Sequence, residues 1–529
     1  MSRPGKKLSV NDYSFQVVPQ ADIPRSSFDR SHGHKTTFDA GQLIPIYLDE
    51  ALPGDTFNLN MSGFGRLATP IHPIMDNMYL ETFFFAVPYR LIWDNWQKFN
   101  GEQENPGDST DYVVPTVNVV DEVQSQTLAD YLGIPLAITQ IGRVSSLPFR
   151  AYQLIWNEWF RDQNLQDSID VPKGDGPDNS FVSLFELRKR GKRHDYFTSC
   201  LPWPQKGEEV LLPLGTQAPI TGFGVNATSS FGGTNTLMHE AGGKDVTYLK
   251  YEVDGLRMEE DPNNPGYPNI YADLSSATAA TINDLREAFQ IQKLYERDAR
   301  GGTRYIEIIK SHFGVTSDDA RLQRPEYLGG GRQAISIGEV PQTFQSDTGT
   351  SPQGNLAATG CVGFTDHGFT KSFTEHCLLI GLMCVRADLT YQQGLNRMWW
   401  RQTRFDFYWP ALSHLGEQAV LNREIYIDGT EADADVFGCQ ERYAEYRYKP
   451  SMITGKFRST DPQSLDFWHL SQDFETRPQL NAEFIEENPP IDRVIAVPSE
   501  PHFLFDSWFK LTCARPMPTY AVPGLIDHF

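Results

Sequence analysis

Two short runs in this 529-residue chain bring metal-capable side chains together. "SHGH" sets His32 two residues before His34, and "TEHC" places Glu375, His376 and Cys377 in a row. A zinc-type site needs three or four ligands converging from recognised spacings. Neither run has a partner pair elsewhere, so both read as interface or hydrogen-bonded histidines and no metal is expected. "LGGGR" (328–332) and "ARGGTR" (299–304) loosely resemble loops that cradle phosphate, but they match neither the Walker nor the dinucleotide spacing. They read as turns. No nucleophile elbow, HExxH pair or kinase signature occurs. With 68 Asp and Glu residues, carboxylate pairs are expected by chance. No catalytic residue and no cofactor are assigned, and the chain does not read as an enzyme.

Two segments interleave cations with aromatics. "RMWWRQTRFDFYWP" carries Arg397, Trp400, Arg401 and Arg404, and "ERYAEYRYKPSMITGKFR" carries Arg447, Lys449 and Arg458. Single-stranded nucleic acid is held by cations that track its backbone and rings that stack on its bases. The same pattern also fits core aromatics with ion-paired arginines, and the sequence leaves both readings open. The N-terminal arm is a third basic candidate, with Arg3, Lys6 and Lys7. Residues 1–35 hold six Lys and Arg against three Asp, whereas 241–275 hold seven acids against three bases. The whole chain carries −22, so its surface as a whole cannot be a polyanion binder.

The elements that must position these residues are mostly strands. Aromatics make up 12% of the chain, and 42 Gly with 35 Pro favour turns over long helices. "DTFNLNM" alternates Phe57, Leu59 and Met61 on one face. "MYLETFFFAVPY" is apolar on both faces and reads as a strand covered on both sides. "EHCLLIGLMCVRADLTY", "EIYIDG", "DRVIAVPSE" and "HFLFDSWFKLTCARPM" also read as β. In the last of these, Phe503, Phe505, Phe509, Leu511 and Cys513 share a face. Helices are expected in "PYRLIWDNWQKFNG", in "LPFRAYQLIWNEWFRDQ" and in "TINDLREAFQIQKLYERDARGG", the last capped by Thr281 and Asp284. Six scattered cysteines suit free thiols in a reducing compartment. The start lacks a signal-peptide core, and "CLLIGLMCV" is too short to cross a bilayer.

Two segments fall outside this pattern. Residues 215–280 are rich in Gly, Asn, Ser and Thr with little periodicity, which suits a surface insertion. The chain then ends in "ARPMPTYAVPGLIDHF", stiff with proline and apolar to the last residue. Met517, Tyr520, Val522, Leu525, Ile526 and Phe529 would bury area against a neighbouring subunit or an inner surface. At about 25 cal/mol per Å2, several hundred Å2 would give roughly several kcal/mol gross, offset by the entropy of ordering. The organisation expected is an arm over 1–30, strands and insertions over 31–214, the insertion over 215–280, further strands over 281–514, and an interface tail over 515–529.

Long ordered strings carry a resemblance. "FDRSHGHKTTFDAGQLIPIYLDEALPGDTFNLN", "TPIHPIMDNMYLETFFFAVPYRLIWDNWQKFNGEQ", "AFQIQKLYERDARGGTRYIEIIKSHFGV", "DARLQRPEYLGGGR" and the terminal "RPMPTYAVPGLIDHF" closely resemble gokushovirus major capsid proteins, from small single-stranded-DNA phages of the Microviridae. The resemblance runs from about Phe28 to Phe529. It implies a mainly β fold: an eight-stranded antiparallel jelly roll, a β-sandwich with long inter-strand insertions holding a few short helices. It further implies pentamers, a T=1 icosahedral shell of sixty copies around a circular single-stranded genome, and a small basic DNA-associated protein as partner. The 215–280 insertion would form protrusions at the threefold axes that meet a host-cell receptor. The protein would be found in the virion, assembled in the bacterial cytoplasm without membrane insertion. The competing readings are a carbohydrate-binding or carbohydrate-processing β-sandwich and a phage spike. The chain shows no internal repeat to favour the spike.

Overall fold

The computed structural model describes residues 24–119, 123–138, 141–207, 210, 220–221, 224–225, 238–239, 249–252, 255–258, 271–272, 282–302, 305–314, 323–344 and 353–520. The chain divides into two compact units, Met1–Pro202 with Asp318–Phe529, and Trp203–Ser317.

Ten strands of the first unit build two antiparallel sheets. They are β1 (Ser26–Asp29), β2 (His32–Phe38), β3 (Ile44–Ala51), β4 (Thr56–Leu67) and β5 (Met78–Pro88), then β6 (Glu326–Ala334), β7 (Ser336–Pro341), β8 (Leu356–Ser372), β9 (Cys377–Ala387) and β10 (Phe503–Arg515). One sheet runs β1–β10–β4–β8–β7, with β2 also on β10, and the other runs β6–β5–β9–β3. Without β1 and β7, the first sheet reads first, eighth, third, sixth in chain order, and the second reads fifth, fourth, seventh, second. That nesting of first against last is the jelly-roll pattern. Two strands are added to the eight expected. β1 pairs with the end of β10 and so draws Ser26–Asp29 out of the expected arm. β7 turns back from β6 onto the edge of β8.

Alternation builds the core. Along β10, Phe503, Phe505, Phe509, Leu511 and Cys513 point inward, while Leu504 and Trp508 face solvent. Phe57, Leu59 and Met61 of β4 meet them in the same core. The second sheet is covered on both sides, as its apolar runs imply. Leu379, Met383 and Val385 of β9 face the sandwich. Leu378, Ile380, Leu382 and Cys384 face a second core against the helix Leu147–Ile155. Arg150 of that helix is fully buried. Its Nε and Nη2 donate to Asp178 at 2.7 and 2.8 Å, and Nη1 donates to Ile92 O at 2.9 Å.

Several local expectations are corrected. "LGGGR" is no turn but the middle of β6. There the two sheets approach so closely that a Cβ on Gly331 would sit 2.3 Å from the His367 ring. His367 in turn reaches across to Thr82 Oγ1 at 3.0 Å. "EIYIDG" does not form a strand, because Asn422–Ile425 makes a single helical turn whose Glu424 carboxylate accepts the Leu421 N–H. "DRVIAVPSE" forms a short turn at Ile491–Arg493 and one bridge, Pro70 to Ile495. Pro498, inside the run, withholds an N–H group that a ladder needs there. Of "PYRLIWDNWQKFNG", only Tyr89–Leu91 and Trp96–Phe99 are helical.

In the second unit the helix Ile282–Arg300 turns at Gly301-Gly302 into the helix Tyr305–Phe313. Gly302 there has a φ of +97°. Asp298 Oδ1 accepts from His312 Nε2 at 2.7 Å across that turn. The expected cap at Thr281 and most of the 215–280 insertion lie outside the described residues.

Candidate nucleic-acid and subunit interface

The basic–aromatic segments come together, and the structure separates their cations into two groups. Arg397 donates to Ala419 O at 2.8 Å and to Glu424 Oε1 at 3.1 Å. Arg401 donates to Glu445 Oε1 at 3.2 Å and lies over the Tyr446 ring at 4.4 Å. Arg458 donates to Gln392 O at 2.6 Å. Arg397 and Arg401 are thus ion-paired to buried carboxylates, whereas Arg458 is exposed and held only by a backbone carbonyl. The Trp400 ring is covered by the guanidinia of Arg397 and Arg423, at 4.9 and 5.4 Å. Burial pushes the Glu424 carboxyl up against the pull of Arg397.

The second group faces solvent. Arg404 is exposed and stacks over Trp409 at 4.5 Å. Lys449 is exposed beside Tyr448. Arg447 is half exposed, pairs with Glu441 and donates to Arg442 O at 3.1 Å. Around them Trp399 (71% exposed), Phe405, Phe407, Tyr408, Tyr446 and Tyr448 present ring surface to water. A cleft of about 80 Å3 opens among Tyr391, Tyr448, Lys449, Met452 and Arg458. A volume of that size has room for a few waters and not for a nucleotide. Arg3, Lys6 and Lys7 lie outside the described residues.

The tail is described as far as Tyr520. Arg515 fixes its root, donating Nη2 to Asp55 Oδ2 at 2.7 Å and to Glu50 O at 3.0 Å. Thr519 Oγ1 donates to Ser26 Oγ at 3.1 Å. Beyond that root Met517 is 42% and Tyr520 80% exposed on the single subunit. Val522, Leu525, Ile526 and Phe529 lie outside the described residues.

A third charged feature escaped the sequence reading. Glu81 of β5 is buried under four arginines that come from three separate parts of the chain. Arg190 and Arg386 hydrogen-bond to it, with Arg386 Nη2 at 2.9 and 3.2 Å from its two oxygens. Arg332 Nε and Arg193 Nη2 stand 3.6 and 3.9 Å from Oε1. Burial would push the Glu81 carboxyl up, but Arg190 and Arg386 outweigh it and hold it below the usual range. The only sequence sign was that Arg332 stands opposite Glu81 once β5 and β6 pair.

The histidines have other partners. His32 stacks on Tyr47 and Phe509, with centroids 5.9 and 5.1 Å away. Glu375 binds Arg90 Nε at 2.8 Å. Among the described residues no three His, Cys, Asp or Glu side chains converge as a metal site, and no helix is long and apolar enough to cross a membrane.

A nested β-sandwich carrying long irregular connections, with aromatic surface and with Met517 and Tyr520 left uncovered, has the features of a shell subunit. The chain belongs to the phage capsid family described as capsid protein (F protein), whose model matches residues 16–525. It is 50% identical to capsid protein VP1 of Bdellovibrio phage phiMH2K, over 98% of this chain and 99% of that protein. It is 42% identical to capsid protein VP1 of Chlamydia phage 1, over 98% and 99%, and 37% identical to capsid protein VP1 of Spiroplasma virus 4, over 99% and 100%. The chain is a structural major capsid protein and a component of the virion, not an enzyme, and it assembles with copies of itself into a shell. The carbohydrate-binding reading is set aside by these matches.

Proposed function

We propose that sixty copies of this chain form a T=1 icosahedral shell, through pentamers, around a circular single-stranded DNA genome. The apolar surface left open at Met517, Tyr520 and Trp399 supports this reading most directly, since a neighbouring copy is what a shell supplies to cover it. The tail from Arg515 onward acts as an interface strap, and its prolines lower the entropy lost on ordering. Assembly takes place in the bacterial cytoplasm. The 215–280 insertion stands outside the shell at the threefold axes as the host-receptor contact.

Charge limits how DNA is held. Sixty copies of a −22 chain carry −1320, so the shell cannot neutralise its genome uniformly. The inner face therefore relies on local cations, namely the N-terminal arm with Arg404, Arg447 and Lys449, together with a small basic protein, polyamines or counterions. Arg401 is a poor probe of this role, because its removal takes the nearest cation from the buried Glu445 and leaves Gln418 and the more distant Arg397. Arg404 is the clean one.

Electron microscopy and sedimentation of the full chain and of a chain ending at Arg515 test the reading. The full chain should give closed particles when its phage partners are co-expressed, and the shortened chain should give only folded, unassembled subunits. Normal shells from the shortened chain would remove the tail from the interface. A full chain that stays monomeric with every phage partner present would remove the shell.

A further inference from the structure

The arginine cluster on β5, β6 and β9 has more positive charge than its carboxylates can use. Glu81 offers two oxygens, and these are occupied by Arg190 and by the two-pronged contact of Arg386. Arg193 and Arg332 stand farther off, at 3.9 and 3.6 Å, beyond hydrogen-bond reach. Arg193 finds Asp388. Arg332, 45% exposed, makes no hydrogen bond to any described residue. Four guanidinia thus share three carboxyl groups, Glu81, Asp388 and the buried Glu487, in a chain whose overall charge is strongly negative.

The two outer guanidinia are held in place even so. Arg332 and Arg193 both lie over the Tyr79 ring, at 3.6 and 4.7 Å from its centre. Stacking of this kind restrains the plane of the fork while the N–H groups at its edge stay able to donate. Behind them, Arg386 Nε is buried without a partner. An ion pair needed only for folding would not require the outer two residues, since like charges crowded together oppose folding unless an anion joins them.

We propose that Arg193 and Arg332, stacked on Tyr79 and backed by Arg190 and Arg386, form a binding site for a phosphate group. A phosphate offers several acceptor oxygens and more charge than one carboxylate, which suits two forks held on one ring. The group can come from free phosphate or from the backbone of a nucleic-acid strand. The site goes beyond the packaging reading, because a shell that touched no DNA here would still bind inorganic phosphate.

Titration calorimetry of the full chain tests this with two probes, inorganic phosphate and a twenty-nucleotide oligothymidylate without terminal phosphates, against chloride at equal ionic strength. The native chain should bind phosphate, and Arg332→Ala should weaken it by roughly tenfold or more. Arg332→Lys should restore only part, since it keeps the charge and loses the fork. An equal loss with the oligonucleotide assigns the site to a DNA backbone, and a loss with phosphate alone assigns it to free phosphate. Should Arg193→Ala with Arg332→Ala fail to fold, Arg332→Lys decides by itself. If the native chain binds neither probe, or the variants bind both as well as the native chain does, the proposal is wrong.

Discussion

The sandwich and the segment from Arg397 to Met452 are both rich in aromatics, and they use them in opposite ways. In the sandwich, strand alternation sends Phe57, Phe503, Phe505 and Phe509 into one core and leaves few large side chains outside. The Arg397–Met452 segment has little regular structure beyond one hairpin, Glu417–Leu421 with Val436–Glu441. It has no periodicity that could turn every ring inward. Its inner half is pinned by Arg397 and Arg401, and its outer half leaves Trp399, Phe405 and Tyr408 in water. The first region is complete within one chain, while the second leaves its ring surface open on the single chain. On the proposed reading, stability and assembly reside in different residues.

Substitutions can break or sharpen that contrast. Phe509→Ala empties the middle of the core and should cost about 3–5 kcal/mol, measured by denaturant unfolding of the subunit. Arg150→Ala leaves Asp178 buried without its cation and should cost a comparable 3–5 kcal/mol. If either variant unfolded like the native chain, the sandwich and its second core would not be the source of stability.

Glu487 sharpens the contrast through pH. Burial pushes its carboxyl up to about 7 from an ordinary 4.5, against the pull of Arg386, Lys192 and Arg190. The folded chain then keeps a proton that the unfolded chain has already released. Stability should fall as pH rises from about 4.5 to about 7, by up to about 3 kcal/mol. Glu487→Gln should flatten that part of the curve. Melting temperatures from pH 5 to 8 would show it, and an unchanged slope would remove Glu487 as the cause.

The smallest expected effect on folding is the most informative about assembly. Trp399→Ala with Phe405→Ala should change subunit stability by no more than about 0.5 kcal/mol. The same variant should reduce particle yield or DNA content, read by sedimentation and by the ratio of absorbance at 260 to that at 280 nm. A large loss of subunit stability would show that the two rings belong to a core instead.

Much of this was legible in the chain. The faces of β4 and β10 follow from alternation, and the two-sided burial of β5 follows from its unbroken apolar run, while β9 was legible only as a strand. Where the reading failed, local signals misled. The glycines of "LGGGR" suggest a turn in isolation, but they serve the close approach of His367 from β8. The β-branched and aromatic residues of "EIYIDG" suggest a strand, but Glu424 caps a turn. For the cations, composition could not separate Arg401, which is paired with Glu445, from Arg404, which is not, because pairing depends on a residue more than forty positions away.

The sequence by itself determined which residues face inward along each strand, since a period of two is written residue by residue. It also determined membership of a shell-forming family, through long ordered strings. Tertiary structure alone decided which arginines are neutralised and which are left over. Glu81, Arg190, Arg332 and Arg386 are far apart in the chain and meet only when β5 lies between β6 and β9. Electrostatic attraction depends on distance in space, and a one-dimensional pattern carries no record of it.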